Sequence, residues 1–131
     1  MSIANPATWR WDPEFVPEEM ASPPEHNDGR TVHGMDERFM DRLLWLRRQW
    51  AKPMIINSAF RTPEHNAAIG GRTGSFHLKG RAVDVSMVDA SEKWEFLRLV
   101  YECRCFRGVG VYDSFVHLDD RDRVPPAVWV R

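Results

Sequence analysis

Chemistry in this chain can be sought first in the stretch SFHLKGRAVD, residues 75 to 84, where His77 and Asp84 stand either side of a glycine and lead into the apolar run AVDVSM. A neutral imidazole nitrogen and a carboxylate oxygen are ligand types that zinc takes when it catalyses hydrolysis. Such sites use three protein ligands and keep a further position for water. The best third candidate is His117, inside the second strand-like run GVGVYDSFVHLDD. Asp84 falls among apolar neighbours, a costly place for an unpaired charge. An arginine partner would neutralise it as well as a metal would; adding His117 makes the shared metal the better answer. His26 and His33 lack partners at metal spacing and read as solvated surface residues, and the same absence keeps His65 out of the set.

The elements that must position these residues follow from period and punctuation. Residues 36 to 50, DERFMDRLLWLRRQW, place Phe39, Leu43, Leu46 and Trp50 at helical spacing, which predicts an amphipathic core helix with its arginines solvated. MIINSAF predicts a short buried strand. In RTPEHNAAIGG, Thr62 is the expected N-cap, Pro63 the first helical residue and Gly70-Gly71 the stop, so a short helix follows the strand. Arg61 then stands at the strand end, where it could reach a site or form an ordinary surface ion pair.

Period-two alternation in AVDVSM puts Val83 and Val85 on one face and Ala82, Asp84 and Ser86 on the other. DASEKWEFLRLVYEC predicts a second long helix capped by Asp89 with Glu92 reaching back, and with Trp94, Leu97 and Tyr101 as the stripe packed on the sheet. RGVGVY and SFVHLDD predict two strands joined by a turn at Asp113-Ser114, followed by a proline break and the apolar AVWV. In residues 115 to 119 alternation points Phe115, His117 and Asp119 to one face and Val116 and Leu118 to the other. Two helices and about four strands give an α+β domain.

Composition narrows the classes. A chain of 131 residues is one domain able to bury a real core. A net charge of -1 from 18 basic and 19 acidic residues gives no electrostatic case for nucleic acid or an acidic membrane surface, and so none for a nuclease. No apolar run is long enough to span a bilayer, and MSIANPATWRWDPEF lacks the basic-then-apolar design of a secretory leader. Synthesis in the cytoplasm without a signal peptide is the expectation. Cys103 and Cys105 are too close for an ordinary disulfide and lack paired zinc spacing, so they read as reduced thiols. Residues 1 to 34 hold five of the nine prolines and no sustained period; they read as an extended arm on the domain of residues 35 to 131, anchored by Trp9, Trp11 and Phe15.

Taken together, SAFRTPEHN, GGRTGSFHLKGRAVDV and GVGVYDSFVHLDDR resemble the zinc D-alanyl-D-alanine carboxypeptidase family of cell-wall peptidases. Vancomycin-resistance dipeptidases, phage endolysin peptidases and hedgehog domains are its wider relatives. The likeness covers about residues 11 to 131, and the pattern S-x-H-x-x-G-x-A-x-D with a distal V-H-x-D is specific. It implies a small antiparallel sheet flanked by helices, and one zinc held by His77, Asp84 and His117. It implies too that Arg61 and Ser75 hold the substrate near the metal, with Arg61 stabilising the oxyanion. Zinc so held lowers the pKa of its water from about 15.7 towards about 7, which makes an amide-cleaving nucleophile available at neutral pH.

Several relatives place an acid three residues before the last zinc histidine, or a histidine two before it. Here those positions are Ser114 and Phe115. Asp119, on the expected metal face, is the first candidate for the general base, and Asp113, in the turn, is the second. The other reading of Asp119 is a partner that orients a ligand or Arg61. The implied activity is hydrolysis at D-amino acids in peptidoglycan stem peptides or cross-links, as carboxypeptidase or endopeptidase, by a monomer with no nucleic-acid or membrane partner. A bare catalytic domain without a leader fits release by a phage-type lysis system or carriage in a virion. The alternative is a non-catalytic zinc module that binds cell wall or serves a phage structure.

Overall fold

The computed structural model describes residues 9–22 and 34–131. His26 and His33 lie outside the described residues, as does most of the stretch between the arm and the first helix. The described elements are helix α1 (Glu37–Trp50), strand β1 (Ile56–Ser58), helix α2 (Pro63–Ala68), strand β2 (Ala82–Ser86), helix α3 (Ala90–Cys103), and strands β3 (Gly108–Val111), β4 (Phe115–Asp119) and β5 (Ala127–Val130). Two 3-10 turns, Pro17–Met20 and Phe76–Lys79, complete an α+β fold.

The five strands lie in the order β1-β2-β4-β3-β5. The first four pair antiparallel, with Asp84 opposite His117 and Gly110 also opposite His117. β5 returns along the outer edge and pairs parallel to β3, so the sheet is mixed where the family likeness implied an antiparallel one. This follows because β4 ends and β5 begins at the same end of the sheet, at Asp119 and Ala127 on either side of Gly108, so the connection steps past the start of β3 and the chain then runs in the direction of β3.

Alternation decides what each face carries. Val83, Val85, Val109, Val116 and Leu118 point into the core, where Phe39, Leu43 and Leu46 of α1 and Phe96 and Val100 of α3 meet them. α1 begins where Asp36 accepts the Phe39 N–H at 2.9 Å. It ends at Ala51, whose left-handed backbone closes the last turn. All four of its expected stripe residues are buried. The arm contributes more than a cover, since Trp11, Phe15 and Met20 are wholly buried members of the same core.

The stripe expected on α3 differs. Phe96 and Val100 are buried, Phe96 edge-on to Trp50 at 5.4 Å, whereas Trp94 is 65% and Tyr101 50% exposed. Both sets have helical spacing, and period alone does not say which one the sheet covers. Asp89 caps α3 through the Glu92 N–H as expected, but the Glu92 carboxylate lies 3.8 Å from Lys52 rather than turned back to its cap. β1 is shorter and more exposed than MIINSAF suggested, with Ile55 66% exposed, because it is an edge strand with an irregular register. Burial pushes the Cys103 thiol up to about 11, and both thiols donate to nearby carbonyls, consistent with reduced, unreactive cysteines. Among the described residues no helix is long and apolar enough to cross a membrane.

Candidate metal centre

The face of the sheet turned away from the core collects the polar residues. Asp84 comes from the middle of β2 and His117 from the directly opposed position of β4, so strand pairing alone sets them side by side. His77 comes from the 3-10 turn that enters β2. Ser75 caps that turn, its hydroxyl accepting the His77 N–H at 3.2 Å, and Gly80 ends it in the left-handed region at φ +66°. Any side chain at Gly80 would also strike the Gly34 carbonyl, because the chain before α1 crosses there and the Asp36 N–H donates to the Gly80 carbonyl at 2.9 Å. The motif glycine is thus where two segments lock together.

One donor atom from each of His77, Asp84 and His117 lies within 4.8 Å of the other two. The other ring nitrogens state what those donors are. His77 Nδ1 is 2.6 Å from the Ala59 carbonyl, which can only accept, so Nδ1 carries the proton and Nε2, 3.3 Å from Asp84 Oδ1, is left with its lone pair. His117 presents the opposite nitrogen: Nδ1 faces Asp84 Oδ1 at 2.9 Å while Nε2 donates to Asp119 Oδ2 at 2.8 Å. Each imidazole is therefore anchored at its far nitrogen and aimed at Asp84 by the near one. Two such nitrogens and a carboxylate form the donor set that suits zinc, and the residues fit the ion.

Electrostatics agree with a site made to hold a cation. Burial pushes the Asp84 carboxyl up, but when the imidazoles carry a second proton the hydrogen bonds from His117 and His77 outweigh it and hold it well below the usual carboxylate range. Burial would lower the His117 imidazole, and the flanking Asp119 and Asp84 carboxylates raise it instead. The Asp119 carboxyl is also opposed by burial, yet Arg121 first and His117 second bring it down to about 2.

Arg61 stands at the end of β1 beside the cluster, its side chain 13% exposed. Nε donates to Ser58 Oγ at 3.0 Å, Nη1 reaches Asn66 Oδ1 at 3.4 Å, and Nη2 lies 3.3 Å from Asp84 Oδ2. Burial lowers its pKa and Asp84 opposes that, but a guanidinium stays charged throughout. Asp84 thus has an arginine partner on one oxygen and the histidine pair on the other.

The two candidate bases sit in very different places. Asp119 shares the cluster's face and is buried behind His117, where Oδ1 accepts from the Arg121 N–H and Nε, and Oδ2 from Arg121 Nη2 and His117 Nε2. Asp113 is exposed at the hairpin turn, with its main-chain carbonyl accepting from Lys93 Nζ at 3.0 Å. His65 joins no metal group and lies 3.1 Å from Ser22 Oγ, in the seam between arm and α2.

Four supporting residues escape a sequence reading. Ser58 and Asn66 brace Arg61, while Arg121 and Trp129 flank Asp119 and His117. Glycines carry a signal for two of them, Asn66 and Trp129, and another for Asp119. A Cβ at Gly71 would fall 2.1 Å from Asn66 Oδ1, one at Gly108 would fall 2.2 Å from Asp119 Oδ1, and one at Gly110 would fall 2.5 Å from Trp129 Nε1. Valines alternating with glycines in GVGV mark a strand whose second face is crossed by large side chains from its neighbours.

A family model described as Peptidase M15 matches residues 13–119, a span that includes Phe15 and Met20 of the arm and all three cluster residues. No curated protein matches the chain.

Proposed function

The chain belongs to the peptidase M15 family, and on that premise we propose that it is a zinc-dependent hydrolase cutting amide bonds at D-amino acids in peptidoglycan stem peptides or cross-links. The observation that carries this reading is the His77, Asp84 and His117 cluster, with the far nitrogen of each imidazole already tied down. Those residues would hold one Zn2+ through His77 Nε2, an Asp84 oxygen and His117 Nδ1. Bound there, the metal supplies a Lewis acid and a water acidified enough to act near neutral pH.

The remaining roles fall to the chain's own groups. Arg61 uses one N–H each on Ser58, Asn66 and Asp84, which leaves two of its five for the substrate carbonyl oxygen and the charge that develops on it. Ser75 accepts the His77 N–H and keeps its own hydroxyl proton for a substrate oxygen. Asp119 is a positioning group in this scheme. It sits at Nε2 of His117 while the cluster is at Nδ1, so the imidazole ring separates it from the reacting atoms. Asp113 stays outside the machinery: at about 3.3 Å per strand residue the turn lies roughly 10 Å or more from His117, beyond a short side chain's reach.

A second reading, a non-catalytic zinc module on the cell wall or in a phage structure, is favoured by one observation. Among the described residues the carboxylates bonded to the two histidines are Asp84 and Asp119, both already engaged, and Ser114 and Phe115 stand where several relatives place an acid or a histidine. We take phage-type lysis or virion carriage as the route to the wall; a genome neighbourhood without lysis or tail genes would count against it.

Digestion of purified peptidoglycan, with and without a chelator, followed by mass analysis of the fragments, separates these readings. Chelator-sensitive loss of terminal D-alanine identifies a carboxypeptidase, and chelator-sensitive opening of cross-linked dimers an endopeptidase. Walls of several chemical types left intact by fully zinc-loaded protein would leave only the binding module.

A further inference from the structure

We propose that Arg121, gripped between Phe76 and Trp129, is a positioning residue that fixes the metal ligand His117 through Asp119. The inference rests on the metal-site reading above and extends it to residues 121 and 129, both beyond the span of the family match.

His117 can present Nδ1 to the cluster in one orientation only while Nε2 is held by Asp119 Oδ2 at 2.8 Å. The Asp119 side chain is 1% exposed, and an ionised carboxylate so buried needs compensation. Arg121 supplies it as a fork, Nε to Oδ1 at 2.9 Å and Nη2 to Oδ2 at 2.8 Å, with its main-chain N–H adding a third bond to Oδ1 at 3.0 Å. A carboxylate held at both oxygens cannot turn about its own axis. The plane of Asp119 therefore sets the plane of His117.

Arg121 is itself restrained. Its guanidinium carbon lies 4.9 Å from the centre of the Trp129 ring and 5.6 Å from that of Phe76, which places it against aromatic faces that attract a cation. Trp129 is seated by β5: its position pairs with Gly110, its indole lies over the space that glycine leaves, and Nε1 donates to the Tyr112 hydroxyl at 3.0 Å. The same ring stands 5.4 Å from the His117 ring. Phe76 is the residue before the ligand His77, so the clamp touches both histidine-bearing segments. The ordinary alternative is a local ion pair two residues apart, worth little at a surface. The depth of Asp119 and the number of bonds converging on it distinguish the two.

The test uses the full chain and measures metal affinity by competition with a chromophoric chelator, together with the visible spectrum of the cobalt-loaded protein as a report on ligand geometry. Arg121→Gln should weaken zinc about 10- to 100-fold, the range for loss of a group that orients a ligand, and shift the cobalt bands. Arg121→Lys keeps the charge without the fork and should recover only part of that loss. Trp129→Leu should weaken zinc several-fold. Arg98→Gln, which breaks two exposed ion pairs on α3, should leave both readouts at the wild-type level.

Wild-type affinity and an unchanged cobalt spectrum in folded Arg121→Gln would overturn the proposal. Should that variant not fold, unchanged affinity in both Arg121→Lys and Trp129→Leu would do the same. Failure of the wild type to bind zinc or cobalt would remove the metal reading and this inference with it. Tight wild-type binding, weakened in the variants, with intact wall material after digestion would uphold this inference and remove only the hydrolytic activity.

Discussion

The two faces of one sheet divide the molecule's work. On the core face Val83, Val85, Val116 and Leu118 exclude water and are interchangeable in kind: any well-fitting apolar side chain serves. On the other face, the intervening positions of the same strands carry Asp84, His117 and Asp119, where charge, reach and hydrogen bonding must all be kept at once. A residue's place in the alternation thus decides whether a mutation costs stability or chemistry. Strand pairing supplies the rigidity that a ligand set needs, because Asp84 and His117 cannot separate without opening the ladder that buries their neighbours.

The largest separation of the two faces is expected from Asp84→Asn, which keeps shape and removes the ligand's charge. Hydrolysis should fall about 10³-fold or more, since Lewis-acid stabilisation is worth several kcal/mol and each 1.36 kcal/mol is tenfold. The circular dichroism of the folded protein should persist; turnover near the wild-type level would sink the metal reading. Leu118→Ala, one residue beyond His117 on the opposite face, should do the reverse. A wholly buried leucine truncated to alanine costs about 2–5 kcal/mol in denaturant unfolding, while zinc affinity of the folded molecules stays near the wild type. Equal damage to both readouts in both variants would dissolve the distinction between faces.

How far each face could be read beforehand follows from the same division. The core face was legible because alternation and helical period are local: the apolar positions of β2, β4 and α1 all fall where spacing puts them. The juxtaposition of His77, Asp84 and His117 was legible because imidazole and carboxylate beside a glycine turn are unusual in and around apolar strands. What escaped were contacts made by tertiary approach. Asn66 reaches Arg61 only because α2 folds back on the end of β1, and Arg121 meets Trp129 only because β5 returns to pair parallel with β3. The misplaced stripe on α3 has the same origin: Phe96 and Trp94 both fit a helix, and the sheet's position chooses between them.

Arg61→Lys probes the site face at the substrate side. Lysine retains the charge and loses the fork that meets Ser58, Asn66 and Asp84, so kcat should fall about 10²-fold, comparable to losing one oxyanion donor, with zinc affinity little changed. An unaltered kcat would remove Arg61 from the reaction. Smaller still is Gly108→Ala, which inserts a methyl 2.2 Å from Asp119 Oδ1 and leaves the core face alone. Overpacking of this kind costs about 1–3 kcal/mol, and it should weaken zinc through Asp119. Gly110→Ala meets the half-buried Trp129 instead, which has room to yield, so its cost should be lower on both measures. A reversed order would mean that Trp129, not Asp119, is the more tightly held side chain.

The smallest effect is expected at Asp113. Alternation alone would assign it to the site face with Phe115, His117 and Asp119, yet it stands in the turn, exposed, and its neighbours hold it by the main chain rather than by the carboxylate. Lys93 donates to the carbonyls of Tyr112 and Asp113, contacts that survive any side-chain change. Asp113→Ala should therefore move unfolding stability by no more than about 0.5 kcal/mol, as exposed substitutions do. Rate and zinc affinity should both stay at the wild-type level. A tenfold loss of rate at unchanged zinc affinity would contradict that placement: the hairpin would have to fold over the cluster when substrate binds, and the boundary between the faces would be set by the bound complex rather than by strand alternation.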